Sequence, residues 1–413
     1  MGVERVKELC YPDFPPEEYA ARYARTQQVL GERGLDALFL TGRQNLRYFA
    51  GLRDGAWDAP HFYFLVILPV EGDPVLLVSD GFQHLVKQSW IEDVRHWPLA
   101  AAFYMAKESK SVPLVLEVLQ EKGLERGVVG MELGADMQVH MAQSHFAAIL
   151  GGLPKARIVD GSDAVWALRS VKSSAEIERM RKAAAISSIG VTAGFEALAP
   201  GMTEKEVVDV MTSAMCAAGA SEQRFNAVYA GPRAMWADGM PTDYVIQPGD
   251  LVQFDGGCVY EGYWCDFKRM AAVGEPRPDQ RRFYELARQG LDAAIDAVRP
   301  GAPFNAPLQA AFAVNEVAGY GDFTKWCLDA GWSAIGHNLG LDLHEQPGLS
   351  ATNTAPLQEN MVICVEPFVT LDGVYPFWKA TEKFGLEDVV LVVADGAEVL
   401  TAEALITHDL WVV

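Results

Sequence analysis

The chain has 413 residues, 50% of them hydrophobic and 22% charged, with a formal net charge of −21 at pH 7. That length exceeds one ordinary core, so two domains are expected. A surface this acidic repels phosphate backbones and anionic lipid, which argues against nucleic acid or a membrane surface as partner. No apolar run reaches the length of a membrane span, and the longest, YFLVILPV at 63–70, is strand-sized. The opening MGVERVKELCYPDFPPEEY is charged and proline-containing, unlike a secretory signal. Gly2 is not followed by the hydroxyl residue that a lipidation motif wants. Cys10, Cys216, Cys258, Cys265, Cys327 and Cys364 form no CxxC pair and are scattered, mostly in apolar surroundings. Reduced, buried thiols in a cytoplasm are therefore expected.

Along the chain, Glu17 to Arg33 reads as a helix with Tyr19, Tyr23, Val29 and Leu30 near one face. DALFLTG (36–42) is a strand and turn. FYFLVILPV and DPVLLVSDG are two strands joined by the turn EGDP. QHLVKQSWI looks helical. VPLVLEVLQEKGL is a helix ending at Gly123, followed by the strand RGVVGMEL. This alternation predicts a helix-covered mixed sheet, and it contains no GxGxxG or GKS phosphate loop. The character changes near 165, which divides the chain into 1–165 and 166–413. Ser173 with Glu176, and then Thr203 with Glu206, are spaced as capping boxes at two helix starts. FEALAPGMTEKEVVDVM (195–211) and IDAVRPGAPFNAPLQAAF (295–312) each read as helix, Pro-Gly turn and helix. Two such copies suggest a pseudo-twofold α/β domain.

After the turn QPGD (247–250), LVQFDGGCVYEGYWCDFKRMAAVG reads as a hairpin: Leu251–Phe254, a glycine kink, then Tyr263–Met270. Asp255 and Asp266 lie on its two arms. Aspartate is a poor strand former, and a buried carboxylate needs a counter-charge or a metal. Pairing with Lys268 or Arg269 is the plainer alternative. Further on, IGHNLGLDLHEQPG (335–348) holds His337 and His344, seven residues apart. Gly336, Gly340 and Pro347 argue against a helix there, and in one strand the two rings would face opposite ways. Glu366 ends a strand before Pro367, and Glu387 opens the hydrophobic strand EDVVLVV. Asp255, Asp266, His337, Glu366 and Glu387 together offer a donor set for two divalent cations, with four carboxylates balancing two ions. A hydroxide bridging such a pair would be the nucleophile.

The ordered set Asp, Asp eleven residues on, GH…HE, VEP and ED resembles the pita-bread metallopeptidases, in the branch of aminopeptidase P, prolidase and the metal-free creatinase. RYARTQQVLGERGLDALFLTGRQNLRYFAGL and VKSSAEIERMRKAA resemble the starts of that branch's two domains, so the likeness spans most of the chain. It implies an α/β (α+β) fold: a pita-bread catalytic domain with a pseudo-twofold repeat, behind a creatinase-type N-terminal mixed-sheet domain. By the same resemblance, Asp255 chelates one metal, and His337 with Glu366 binds the other. Asp266 and Glu387 bridge both. His344 contacts substrate and steadies the oxyanion, Glu366 shuttles the proton, and Glu345 is structural. The implied cofactor is two divalent ions, manganese first, with cobalt, iron or zinc also accepted. The implied partners are a short-peptide or small-molecule substrate and a second copy of the chain in a homodimer.

Three positions depart from that pattern. Asp238 stands where these peptidases carry a histidine, and is kept as a catalytic candidate. Ser333 stands four residues before His337 in place of another histidine. Gly385 replaces an arginine two residues before Glu387. Trp236, Trp264, Trp332 and Trp378 lie near the motifs, with Tyr375 and Phe377 close by. They either pack the core or, with Asp238, bind a cationic or onium group. The expected function is a dinuclear-metal hydrolase of an amide or Xaa-Pro C–N bond. The alternatives are a creatinase-like or sulfonium-lyase-like small-molecule enzyme on the same fold, and a non-enzymatic binding module.

Overall fold

Strands alternating with helices build a six-stranded sheet in the first part of the chain. The computed structural model describes residues 13–53, 63–98, 110–235, 239–331, 334–402 and 409–413. The chain divides into two compact units, Met1–Arg169 and Ser170–Val413. Among the described residues no helix is long and apolar enough to cross a membrane.

In the first unit the strands are β1 (Ala37–Leu40), β2 (Leu65–Pro69), β3 (Val75–Ser79), β4 (Asp93–Trp97), β5 (Val128–Met131) and β6 (Arg157–Asp160). They lie in the order β4-β3-β2-β1-β5-β6. β2 runs antiparallel to β1 and β3, and the other pairs are parallel, so the sheet is mixed. The helix Pro16–Arg33 buries Tyr19, Arg22, Thr26 and Leu30 rather than the expected Tyr23 and Val29. Arg22 belongs inside because its guanidinium lies 4.5 Å from the Phe14 ring and 4.3 Å from the Tyr48 ring, and donates to the Tyr48 carbonyl. The helix expected over QHLVKQSWI is only the single turn Gln83–Val86. The chain then turns, and Trp90 donates its indole N–H to the Phe49 carbonyl. DVRHW forms β4, an edge strand whose polar, half-exposed side chains carry no hydrophobic pattern to announce it.

The second unit opens with the helices Ser174–Ala197 and Glu204–Ala217, each with its capping box formed. The helices Pro278–Asp296 and Ala306–Val317 repeat the arrangement. Both Pro-Gly turns use a left-handed glycine, Gly201 at φ +95° and Gly301 at φ +80°. Each glycine N–H is donated to a passing segment, to the carbonyls of Ile246 and Leu357 respectively. The strands are β7 (Glu222–Ala230), β8 (Leu251–Tyr260), β9 (Tyr263–Trp264), β10 (Phe267–Ala272), β11 (Val362–Val365), β12 (Phe368–Thr370), β13 (Lys383–Gly385), β14 (Asp388–Val393), β15 (Gly396–Val399) and β16 (Trp411–Val412). One sheet runs β16-β10-β8-β7 with β9 on β8, a second runs β11-β14-β15, and β12 pairs β13. Phe283, Leu291, Phe304, Phe323 and Phe384 fill the core behind them.

The register of β8 on β10 decides which residue faces Asp255. Glu261 (φ 48°) and Gly262 (φ 87°) form a two-residue turn with both central φ positive, the type I′ geometry suited to a hairpin. Counting back from Tyr260 opposite Tyr263 puts Asp255 opposite Lys268, not Asp266. β8 also runs unbroken through Gly256 and Gly257 instead of ending at a kink. A Cβ on Gly257 would stand 2.3 Å from the Cys265 carbonyl oxygen, so glycine is what lets the arms close.

Candidate metal centre

Backbone pairing brings five segments of the second unit to one place. Asp255 lies on β8, and Asp266 and Lys268 lie on or beside β10. Glu387 precedes β14 and bridges to Lys268, each N–H donated to the other's carbonyl. The segment from Ile335 to Asn338 lies along β11: Cys364 N–H donates to His337 O and Glu366 N–H to Ile335 O. Gly336 makes that approach possible, because it has φ +147° and a Cβ there would be 2.0 Å from the Cys364 carbonyl oxygen.

Asp266, His337, Cys364 and Glu387 are all buried, and one ligand atom of each lies within 4.8 Å of the others. His337 Nδ1 is 2.9 Å from the Asn338 carbonyl. A carbonyl only accepts, so Nδ1 carries the proton and Nε2 presents its lone pair, 3.8 Å from Asp266 Oδ2. Burial pushes the His337 pKa down, which keeps the imidazole neutral. Glu387 Oε1 is buried with no hydrogen-bond partner among the described residues. Burial, then Asp266 and Glu366, push the Glu387 carboxyl well above the ordinary glutamate range. Carboxylate, imidazole and thiol donors around an unsatisfied buried oxygen fit a divalent cation.

The other part of the cluster already holds a cation. Lys268 Nζ is 2.9 Å from Asp255 Oδ2, 3.5 Å from Glu366 Oε2 and 3.7 Å from Glu387 Oε2. Burial works against the ammonium, but Asp255, Glu366 and Glu387 outweigh it and hold the Lys268 pKa well above the usual lysine value. Burial pushes Asp255 up despite Lys268. Burial also opposes the charge on Glu366, yet the Lys268 ammonium beside it holds it below the usual value. The lysine pairing weighed for Asp255 is thus present. Arg269 faces elsewhere: it donates to the carbonyls of Lys268 and Glu387 and pairs with buried Asp388 at 2.6 Å.

His344 is exposed, with its ring centroid 4.3 Å from that of His337. Glu345 is buried, pairs with Lys172 at 3.2 Å and accepts the N–H groups of Leu341 and Asp342. Trp264 is buried and donates its indole N–H to the Leu341 carbonyl, so it anchors that loop. Trp378 is 51% exposed and lines a cavity of about 550 Å³ with Met235, Leu251, Arg277, Glu382 and Lys383. Lys383 is close enough for its charge to act on Asp255. Trp236, Asp238, Trp332 and Ser333 lie outside the described residues.

Sequence reasoning missed Cys364 as a member of the centre and weighed Lys268 only as a partner for the aspartates, not as a cation shared with Glu366 and Glu387. Lys268 had a signal, because the Glu261-Gly262 turn sets the register that places it opposite Asp255. Cys364 had none, since its donor comes from the pairing of β11 with Ile335–Asn338. The cysteines are all free among the described residues, but Cys216 is exposed, on the outer face of its helix, against the expectation of burial.

The family model for metallopeptidase family M24 matches residues 178–394, and that for the creatinase/prolidase N-terminal domain matches 22–171. An uncharacterized peptidase, YqhT of Bacillus subtilis (strain 168), is 26% identical over 383 residues, covering 91% of this chain and 96% of the relative. The solved dipeptidase PepE of Mycobacterium ulcerans is 27% identical with a TM-score of 0.80, covering 97% of this chain and 99% of that one. The prolidase of Thermococcus sibiricus has a TM-score of 0.80 at 24% identity, covering 96% and 99%, a likeness of fold. With the buried donor cluster and the pseudo-repeated helices in place, the match over more than half its length establishes that this chain belongs to metallopeptidase family M24, behind a creatinase/prolidase-type N-terminal domain.

Proposed function

We propose that this protein hydrolyses a C–N bond in short peptides of the Xaa-Pro type. The observation that carries the reading is the buried cluster of Asp266, His337 and Glu387, in which Glu387 Oε1 has no hydrogen-bond partner among the described residues, in a chain of this family. A divalent ion held there would supply Lewis acidity and a water of lowered pKa. His337, made neutral by burial and oriented by Asn338, and the carboxylates of Asp266 and Glu387 would hold that ion. Glu366 is partly exposed and kept ionised by Lys268, so it can take a proton from water and return it to the leaving amine. His344, exposed beside His337, can donate to an oxyanion at the attacked carbonyl. Lys383, at the cavity wall, offers positive charge to a substrate carboxylate. Manganese is the first ion to test, and a homodimer the assembly to expect. The exposed face of Trp378 at the cavity supports a second reading, a small cationic substrate handled by the same centre.

The test is activity of metal-stripped full-length protein on Xaa-Pro dipeptides and tripeptides, with and without added manganese. Metal-dependent release of the N-terminal residue is expected. Folded protein that cleaves none of them would overturn the peptidase reading in favour of the cationic small molecule.

A further inference from the structure

The parts of the acidic cluster are not alike. Beside Asp266 and His337, Glu387 Oε1 lacks a partner among the described residues. Beside Asp255 and Glu366, an ammonium group is already in place. Building on the metal-hydrolase reading above, we propose that Lys268 is a built-in cation which takes the place of one ion of a dinuclear centre, so that the site accepts a single divalent ion among Asp266, His337 and Glu387.

The position of the lysine follows from the backbone. Lys268 is directly opposite Asp255 in the β8–β10 register and bridged to Glu387 on its other side. Side chains directly opposite across paired strands project to the same face, so its stem rises between the two carboxylates. Nζ then sits among oxygens of Asp255, Glu366 and Glu387 at 2.9, 3.5 and 3.7 Å. An ion bonded at roughly 2.0–2.2 Å to those carboxylates would need the same oxygens that the ammonium already holds. Ammonium and ion compete there for the same donors and repel each other by charge. The ammonium has no easy retreat, because Lys268 is 7% exposed and an unpaired buried ammonium is strongly disfavoured.

A second feature of this chain accompanies the lysine. A Cβ on Gly385 would lie 3.5 Å from Lys268 Cδ and 3.4 Å from Phe368 Cβ. A side chain at 385 would thus start in ordinary contact with the lysine stem, which places Gly385 beside the same centre. The charges remain workable: four carboxylates face one ammonium and one divalent ion, leaving one net negative charge near the partly exposed Glu366.

The experiment counts ions. Metal-stripped full-length protein is loaded with manganese and desalted, and metal per chain is read by plasma mass spectrometry and by calorimetric titration. Wild type is expected to hold one ion, and Lys268→Ala two. Two ions in wild type would overturn the inference while leaving the hydrolase reading intact. No ion in folded wild type would overturn both. One ion in both proteins would show that the lysine is not what occupies the second place. Should Lys268→Ala not fold by circular dichroism, manganese anomalous diffraction from wild-type crystals decides. A single peak among Asp266, His337 and Glu387 is expected, and any peak between Asp255 and Glu366 refutes the proposal.

Discussion

Arg269→Met tests how the centre is held. The guanidinium and its partner Asp388 are 1% and 0% exposed and lie 2.6 Å apart. Nη1 also donates to the carbonyls of Lys268 at 2.9 Å and Glu387 at 2.7 Å, the two residues that face the acidic cluster from adjoining strands. Those carbonyls keep backbone partners without Arg269, since each accepts the other residue's N–H. The loss therefore falls on Asp388, which keeps the Thr401 hydroxyl at 2.7 Å but loses the guanidinium that offsets its charge. Stranding a buried charge costs about 3–5 kcal/mol. For a unit of this size that is roughly 6–20 °C in the unfolding midpoint. Replacing both members, as Arg269→Met with Asp388→Leu, removes the stranded charge and should restore all but about 1 kcal/mol, the lost Thr401 bond. Urea and thermal unfolding of the metal-free full chain, followed by circular dichroism, measure both variants. A single variant within about 1 kcal/mol of wild type, or a double variant no better than the single, refutes the account of a charge-compensating clamp.

Two further outcomes are expected. Gly336→Ala places a methyl against the Cys364 carbonyl and forces the His337 segment off β11. Manganese affinity by calorimetry should fall by about 10–100-fold, as when support for a ligand is lost, and unchanged affinity would show that the segment adapts. Glu398, paired with Arg181, has its carboxyl held below the usual glutamate value by that hydrogen bond. Its folded pKa lies below its unfolded one, so its contribution is present above the unfolded pKa and is lost as pH falls through the folded one. Glu398 is 41% exposed, so Glu398→Gln should cost no more than about 1 kcal/mol at pH 7. That difference should vanish in denaturation curves below the glutamate range, and a difference that persists there would assign the effect to packing.

Local chemistry was legible in the sequence wherever one short stretch contains both partners. Ser173 with Glu176 and Thr203 with Glu206 cap the helices they were read to cap. Pro200-Gly201 and Pro300-Gly301 turn where only a left-handed glycine fits. The buried strands β1, β2 and β3 announce themselves because every residue but Ser79 is apolar, whereas β4 does not because an edge strand has no such need. The order of Asp255, Asp266, His337, Glu366 and Glu387 was likewise readable as a donor set, because carboxylates and imidazoles on apolar strands demand a counter-charge. Which of the candidates, a metal, Lys268 or Arg269, supplies that counter-charge to Asp255 was a tertiary matter. A one-residue change of register turns every side chain of a strand to its other face, so the choice of Lys268 as the residue opposite Asp255 rests on the geometry of the Glu261-Gly262 turn. The approach of Glu387 to Lys268, and of Cys364 to His337, comes from pairing between segments far apart in the chain. No local pattern encodes those pairings, because backbone hydrogen bonds carry no side-chain signature. Only once they form does the same set of residues divide into a place for an ion and a place already filled by an ammonium.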